Sequence, residues 1–362
     1  MKNLHVKLGS ILQIAFAYVG TVVGAGFASG QEIMRFFSIY GTLSYIAIII
    51  STLLFILIGI KIMKIGMKYK ATSFKEMFDC VFSPTIANIC NIILTICLII
   101  TTIVMLAGAG AVFEEQLGIQ FIYGIIITCI CTFLIVIFGI SGLFSINVVV
   151  VPILILFNII LFIFTCTNQN LLFINSLTSI IPIINIFRSG VLYVLFNVML
   201  SLGVLGAIGH NIDNTKTLIY GGILGGLILG ILIIFENTCL LAYSPGILQY
   251  EIPIAHIAIK MGNSYHTLFT MVVWGEIVTT LVASVYSLVE YANQLKISRF
   301  TSIYVILLFS SIISHFGFST MVHYLYPLLG IIGLFFIPAL FIIPEIQKNH
   351  MKKTHMAEKN IL

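Results

Sequence analysis

The chain has 362 residues, of which 60% are hydrophobic and only 8% charged, and its formal net charge is +5. Soluble domains carry about 45–50% apolar and about 25% charged residues, so a soluble fold of this composition would have to expose many apolar side chains to water. A bilayer-embedded fold places those side chains against lipid instead. The Lys and Arg residues lie in short segments beside apolar runs rather than in one patch, which argues against nucleic acid as a partner. We therefore expect an all-α membrane protein in contact with membrane lipid.

Apolar runs separated by turn or charge signals predict about ten transmembrane helices, since each span needs about 20 apolar residues. A short amphipathic helix at 73–82 is expected in the basic connector between helices 2 and 3, and a helix-like piece at 254–261 before helix 8. In chain order, the predicted transmembrane helices 1 to 10 cover residues 8–37, 43–63, 85–113, 121–140, 144–166, 187–208, 217–243, 265–295, 301–314 and 321–343.

The distribution of Lys and Arg residues predicts the orientation of the chain in the membrane. With both termini in the cytoplasm, every Lys and Arg lies on the inner side except Arg35, Arg188 and Lys260. This bias is what the positive-inside rule requires. The chain is thus expected to be a multi-pass protein of the cell membrane with both termini cytoplasmic.

The helix order also predicts an inverted repeat. Helices 1–5 and helices 6–10 occupy blocks of similar length, and an odd number of spans starts the second block on the opposite side of the membrane. We expect a first repeat at 1–166, a second repeat at 167–344 and a cytoplasmic tail at 345–362.

Helix 1 is expected to be interrupted, because Gly20, Gly24, Gly26 and Gly30 all fall within it. Each glycine costs a helix about 1 kcal/mol relative to alanine, and opened backbone is tolerated within a membrane only where it lines a cavity or is covered by protein. Carbonyl groups freed near 23–26 can bind a cation, and amides near 28–31 can hold a carboxylate. The alternative is close helix packing through G-x-x-x-G spacing.

The segment 20–33, followed by Arg35, Phe36 and Phe37, closely resembles the opening of the YkvI-type family of bacterial membrane proteins. Segments 193–197, 204–209 and 326–330 resemble further parts of that family. The family is related to the amino acid–polyamine–cation superfamily, so the resemblance implies a LeuT-like five-plus-five inverted repeat with helices 1 and 6 interrupted. It implies a transporter fold without indicating a substrate.

The broken helices supply the candidate substrate-binding residues. Helix 6 is the symmetry partner of helix 1, and we expect its break at 201–203. Asn197 on this helix needs a partner within the membrane, either a substrate or another helix. The candidate substrate-binding residues are Gly24, Ala25, Gly26, Ser29, Gly30, Gln31, Asn197 and Ser201.

Helix 8 supplies most of the candidate ion-coupling residues. Glu276 lies near mid-membrane, where a carboxylate is costly and usually functional, although it can also pair with Gln31 or Asn197. The resemblance implies that helix 8 forms a cation site with the break in helix 1, whereas helix 8 hydroxyls can instead bond to their own helix. The ion-coupling candidates are Val23, Gly26, Glu276, Thr280, Ala283, Ser284 and Ser287.

The expected ligands are one small solute and one coupling ion. Na⁺ and H⁺ both fit the ion-coupling residues, with Na⁺ slightly favoured by the hydroxyl groups, and Na⁺ is the only metal ion expected; no other cofactor is predicted. Arg35 either closes the outer vestibule, as the resemblance implies, or anchors the helix at the membrane interface.

Two functions remain open at this point. The first is secondary active transport of an amino acid or related zwitterion coupled to Na⁺ or H⁺. The second is a receptor or sensor of the same fold, similar to a germinant-receptor subunit, which binds a small ligand without net transport. An enzyme is not expected, since the helices carry no serine–histidine, H-E-x-x-H or paired-aspartate pattern. The sequence predicts no particular oligomeric state.

Overall fold

The computed structural model describes residues 8–169, 182–247, 252–314, 333–334 and 337–338, and no β-strand occurs in these ranges. Predicted helix 10 and the segment 326–330 lie almost entirely outside them, so the count of ten remains a prediction. The helices are α1 Leu8–Val22, α2 Ala25–Ala28, α3 Gln31–Phe36, α4 Ser44–Tyr69 after a 3₁₀ helix at Ser38–Leu43, α5 Phe74–Val81, α6 Pro84–Leu117, α7 Phe121–Ile137, α8 Ile140–Asn168, α9 Ile183–Asn211, α10 Thr215–Tyr243, α11 Pro253–Met261, α12 Asn263–Gln294 and α13 Arg299–Ile313.

Several of these helices can cross a membrane. Within the described residues, six are long and apolar enough: the unit 38–69 that includes α4, and α6, α8, α9, α10 and α12. The helices α1, α7 and α13 are apolar but shorter. On α4, Ile46, Ile49, Leu53 and Leu57 are 51–60% exposed at helical spacing, which makes one apolar stripe for lipid. The chain is therefore a multi-pass membrane protein.

The helices pack as two groups that contact each other directly and through one further helix. The first group contains α1, α4, α9 and α10, and the second contains α6, α7, α12 and α13. Helix α8 contacts both groups through α1 and α12. An interface between the two groups therefore runs through the centre of the protein.

Glycine contacts give the direction of the helices in the first group. As residue numbers rise along α10 they fall along α4, because Gly226 lies beside Ile56 and Gly230 lies beside Thr52. The two helices are therefore antiparallel. Helices α5 and α11, which follow α4 and α10 in the chain, consequently lie at opposite ends of the bundle. This is the arrangement that an inverted repeat predicts; the repeat boundaries at 166 and 344 remain predictions.

The prediction that helix 6 is interrupted is wrong. Helix α9, which corresponds to predicted helix 6, is one continuous helix from Ile183 to Asn211. The hydroxyl of Ser201 donates a 2.9 Å hydrogen bond to the carbonyl of Asn197 one turn earlier. A Cβ at Gly203 would lie 2.7 Å from Oγ of Ser287, and one at Gly209 would overlap the backbone of α4. The glycines of α9 therefore allow neighbouring helices to approach, and this use of glycine does not require an open backbone.

Close packing of α4 on α9 predicts that Gly66→Ala destabilises the protein. A Cβ at Gly66 would overlap the carbonyl oxygen of Gly206, and overpacking of this kind costs about 1–3 kcal/mol. Thermal unfolding in detergent, followed by circular dichroism, should show a lower midpoint for this variant. Gly9→Ala is the control, because its Cβ would meet no atom within 4 Å. Equal midpoints for the two variants would contradict the packing described.

Candidate substrate and ion site

Predicted helix 1 is interrupted, as the glycine pattern indicated. Helix α1 ends at Val22, the next two residues are not helical, and α2 is a single turn. Gly30 then has φ of 83°, a left-handed conformation that favours glycine. A Cβ at Gly30 would also lie 2.8 Å from Cγ1 of Ile254 on α11. Glycine is thus required here by both backbone conformation and space.

Neighbouring helices satisfy the polar groups of this break. The hydroxyl of Thr280 on α12 donates a 3.0 Å hydrogen bond to the carbonyl of Val23. On α11, the amide of Ile254 donates a 3.2 Å hydrogen bond to the carbonyl of Ser29. The break is therefore held by α12 at its start and by α11 at its end.

A narrow cavity of about 20 Å³ lies beside the break, at the interface of the two helix groups. A cavity needs roughly 10–15 Å³ to hold one water molecule, so in this conformation it has room for a single ion or water molecule rather than an amino acid. Its lining from α1, the break, α3 and α9 is Thr21, Val22, Gly24, Glu32, Phe196, Asn197 and Leu200; its lining from α6 and α12 is Thr101, Met105, Thr280, Ala283 and Ser284.

The structure brings part of the predicted site together. Of the predicted residues, Gly24, Asn197, Thr280, Ala283 and Ser284 line the cavity. The others lie near it or on neighbouring faces of the same helices: Val23, Ala25, Gly26, Ser29 and Gly30 in the broken segment, Gln31 and the half-buried Arg35 on α3, Ser201 on α9, and Glu276 and Ser287 on α12.

Two predicted hydroxyls bond to their own helices. Ser287 donates a 2.9 Å hydrogen bond to the carbonyl of Ala283, and Ser201 bonds in the same way within α9. Neither lines the cavity, whereas Ser284 does. In this conformation Ser284 is therefore the better placed of the two candidate serines on α12.

Glu276 is fully buried, one turn before Thr280 on α12. The hydroxyl of Thr279 lies 3.5 Å from its Oε2, and Oε1 has no hydrogen-bond partner among the described residues. Its side chain does not line the cavity. It is thus a buried acid close to the break rather than part of the cavity wall.

Glu32 is the most important site residue that was not predicted. It is only 4% exposed, lines the cavity, and has no hydrogen-bond partner at Oε2. Its Oε1 occupies the space where a Cβ of Gly26 would lie, so Gly26 makes room for this carboxylate. The cost of an intramembrane carboxylate, which identified Glu276, applies equally to Glu32 and was the signal that could have found it.

Two further cavity hydroxyls carried no such signal. Thr101 and Thr21 donate to the carbonyls of Cys97 and Ala17 on their own helices, at 2.9 and 2.6 Å. Their oxygens still have lone pairs that can accept a hydrogen bond or bind a cation. Nothing in the sequence distinguishes these threonines from others that bond to their own helix.

The cavity lining combines one carboxylate with hydroxyl and amide oxygens, and it contains no basic side chain. Oxygen ligands of this kind suit a hard cation, and the carboxylate can also carry a proton. Next to the cavity, the rings of Phe36 and Tyr193 pack on Phe196 at 5.5 and 5.4 Å. The arrangement can therefore enclose a small cation behind an aromatic wall.

Solved structures with the same fold are membrane transporters. A Na⁺-coupled sialic acid symporter aligns with 93% of this chain and 79% of its own, with a TM-score of 0.66 and 12% identity. MhsT in complex with L-phenylalanine aligns with 84% of this chain and 78% of its own, with a TM-score of 0.63 and 15% identity. A manganese transporter from Eremococcus coleocola covers 93% of this chain and 80% of its own, with a TM-score of 0.65 and 14% identity. The expected LeuT-like fold is thus confirmed.

No protein-family profile matches this chain. YyaD, an uncharacterised protein of Bacillus subtilis (strain 168), is 27% identical over 91% of this chain and 96% of its own length. The uncharacterised membrane protein YkvI of the same organism is 33% identical over 92% of this chain and 95% of its own length. At that identity over nearly the whole length of both proteins, this chain belongs to the YkvI family of membrane proteins.

Proposed function

We propose that this protein is a secondary active transporter of a small solute, with its ion and substrate site at the break in helix 1. The observation that carries the proposal is the position of Glu32, a buried carboxylate that faces a narrow cavity beside the opened backbone. A carboxylate in that position is costly unless a ligand or proton compensates its charge.

The location of the cavity supports transport. Its wall is shared between the two helix groups, so movement of one group against the other changes access to the site. The short helices α5 and α11 lie at opposite ends of the bundle and pack against α9 and α12, respectively. We propose that both chain termini are cytoplasmic, which places α5 inside and α11 outside, with Arg35 on the outer side of the site.

The proposed substrate is an amino acid or a related zwitterion. Its ammonium group would pair with Glu32, and its carboxylate would face the coupling cation and the polar backbone of the break. The cavity must widen to admit such a solute. Within the described residues, no cluster of three His, Cys, Asp or Glu side chains is placed to hold a metal ion, so a transition metal is a poorer candidate.

The proposed coupling ion is Na⁺, with H⁺ as the alternative. Carbonyl oxygens of Val23 and Ala283 and hydroxyls of Thr280 and Ser284 are the ligands that Na⁺ would use. For H⁺, Glu276 or Glu32 would carry the proton.

Uptake by proteoliposomes tests the function. The purified chain is reconstituted and screened over labelled amino acids, with an inward Na⁺ gradient, with an inward H⁺ gradient, or with neither. We expect accumulation of at least one amino acid that requires the Na⁺ gradient. Uptake unchanged by removal of Na⁺ would exclude Na⁺ coupling, and binding without uptake in any gradient would favour the receptor function.

Ser284 and Ser287 form a matched pair for locating the ion. Ser284→Ala removes a hydroxyl from the cavity wall, so the Na⁺ concentration for half-maximal uptake should rise, roughly tenfold for about 1.4 kcal/mol of lost binding energy. Ser287→Ala removes a hydroxyl that lies outside the cavity wall and donates to the carbonyl of Ala283. That carbonyl stays in place within α12, so this variant should change the value much less than Ser284→Ala. The reverse order of effects would place the ion on the Ser287 face of α12.

The hydrogen bond from Thr280 to Val23 gives a further prediction. Thr280→Val leaves a buried carbonyl without its partner, which costs about 1–3 kcal/mol, so uptake and thermal stability should both fall. Thr280→Ser keeps the hydroxyl and should keep most of both. If the two variants lose uptake equally, the methyl group rather than the hydrogen bond supports the site.

A further inference from the structure

A third buried acid, Glu236 on α10, lies outside the cavity. It is only 1% exposed, and its Oε2 has no hydrogen-bond partner among the described residues. The side chain of Asn158, on the helix α8 that packs against α10, lies next to the Glu236 carboxylate. Neither residue lines the cavity, so the pair forms a separate polar contact within the membrane.

Asn158 carries a further buried polar atom without a hydrogen-bond partner in the described part of the chain. It is fully buried, and its Nδ2 donates a 3.2 Å hydrogen bond to the carbonyl of Leu154 on its own helix. Its Oδ1 has no donor in the described structure. A buried acceptor without a donor costs about 1–3 kcal/mol. A proton on Glu236 would remove the buried negative charge and supply an O–H donor beside the amide of Asn158.

The surroundings of Glu236 are acidic. Glu32 lies on α3, which packs against α10, and the like charges of Glu32 and Glu276 disfavour an anionic Glu236. Other titratable groups on or next to α10 have hydrogen-bond partners of their own. The hydroxyl of Tyr18 donates to the carbonyl of Phe55, the hydroxyls of Tyr45 and Thr238 share a hydrogen bond, and the sulfur of Cys239 accepts one from Thr165. The remaining titratable groups on α10 and on the elements packed against it are Arg35, Tyr40, Lys61, Lys64, Lys68, Tyr69, Cys166, Lys216, Tyr220 and Tyr243.

We propose that Glu236 and Asn158 form a proton-binding site inside the membrane, and that the charge in the cavity controls this proton through Glu32. The proton site is argued from Glu236 and Asn158 alone. Control by the charge in the cavity rests on the proposed function, because it requires that a cation binds there. A cation beside Glu32 weakens the negative field at Glu236. Binding of the cation therefore favours release of the proton from Glu236 to water, and return of the proton favours release of the cation.

Infrared spectroscopy tests the proton site without any transport measurement. The full chain in lipid nanodiscs is compared at neutral pH with Glu236→Gln and with Glu114→Gln, whose carboxylate is exposed at the end of α6. We expect the carbonyl stretch of a protonated carboxylic acid in wild type and Glu114→Gln, reduced by one group in Glu236→Gln. Asn158→Leu should shift that band, because the protonated acid loses its amide neighbour, and this variant serves if Glu236→Gln fails to fold. Spectra of Glu236→Gln or Asn158→Leu that are identical to the wild-type spectrum would overturn the proposal.

A proton-release measurement tests the link to the cavity. NaCl is added to the nanodisc sample in lightly buffered solution with a pH-sensitive dye, and choline chloride at the same ionic strength is the control. We expect Na⁺ to release up to one proton per chain in wild type and none in Glu236→Gln. Release that persists in Glu236→Gln would overturn the link. An infrared band that depends on Glu236, together with no release on Na⁺ addition, would support the proton site and count against the Na⁺ site of the proposed function.

Discussion

The opened backbone of helix 1 is the constraint around which the rest of this protein is arranged. In a membrane, each polar group freed from a helix must find a protein partner or a water-filled space. The hydroxyl of Thr280 and the amide of Ile254 each satisfy one carbonyl of the break. Because these partners belong to α12 and α11, the break fixes where both helices lie. The narrow cavity lies beside the break, with α1, α3 and α9 on one side and α6 and α12 on the other.

Packing within the first helix group differs from packing at the interface between the two groups. In the first group, glycines on α9 and α10 allow backbones to approach closely, as at Gly226 and Gly209. At the interface between the groups, contact is made by polar side chains such as Thr280 and Ser284, and a cavity separates part of the surfaces. Close packing holds one group together, whereas a partly polar interface separates more readily. Motion between the groups is therefore less costly than motion within the first group.

The sequence predicted the parts of this structure that depend on local chemistry. The glycines of helix 1 predicted its break. The hydrophobic runs predicted the ends of the described spans to within about four residues, except that α4 extends to Tyr69 rather than 63. The break expected in α9 failed because glycines that open a helix and glycines that allow close packing have the same sequence signal. Only the position of the neighbouring helix, here α4 beside Gly209, decides between them. Which threonines face a cavity likewise depends on how α6 and α12 are rotated, so Thr101 could not be singled out.

Helix 1 is opened whereas α9 is continuous, and this difference affects the charge of the cavity. A continuous α9 keeps its carbonyls within the helix, so its contribution to the cavity comes from side chains such as Asn197. Among the described residues that line the cavity, the freed carbonyls belong to the helix 1 side, next to Glu32. The cavity therefore has a negatively charged side and a neutral side, with no basic residue in its lining. Such a site is least stable when it is empty and ionised, because a buried charge without a partner is costly. A bound cation or proton is thus part of its stable state. Because the site needs this positive charge, binding in the cavity is coupled to the charge of the buried acids around it.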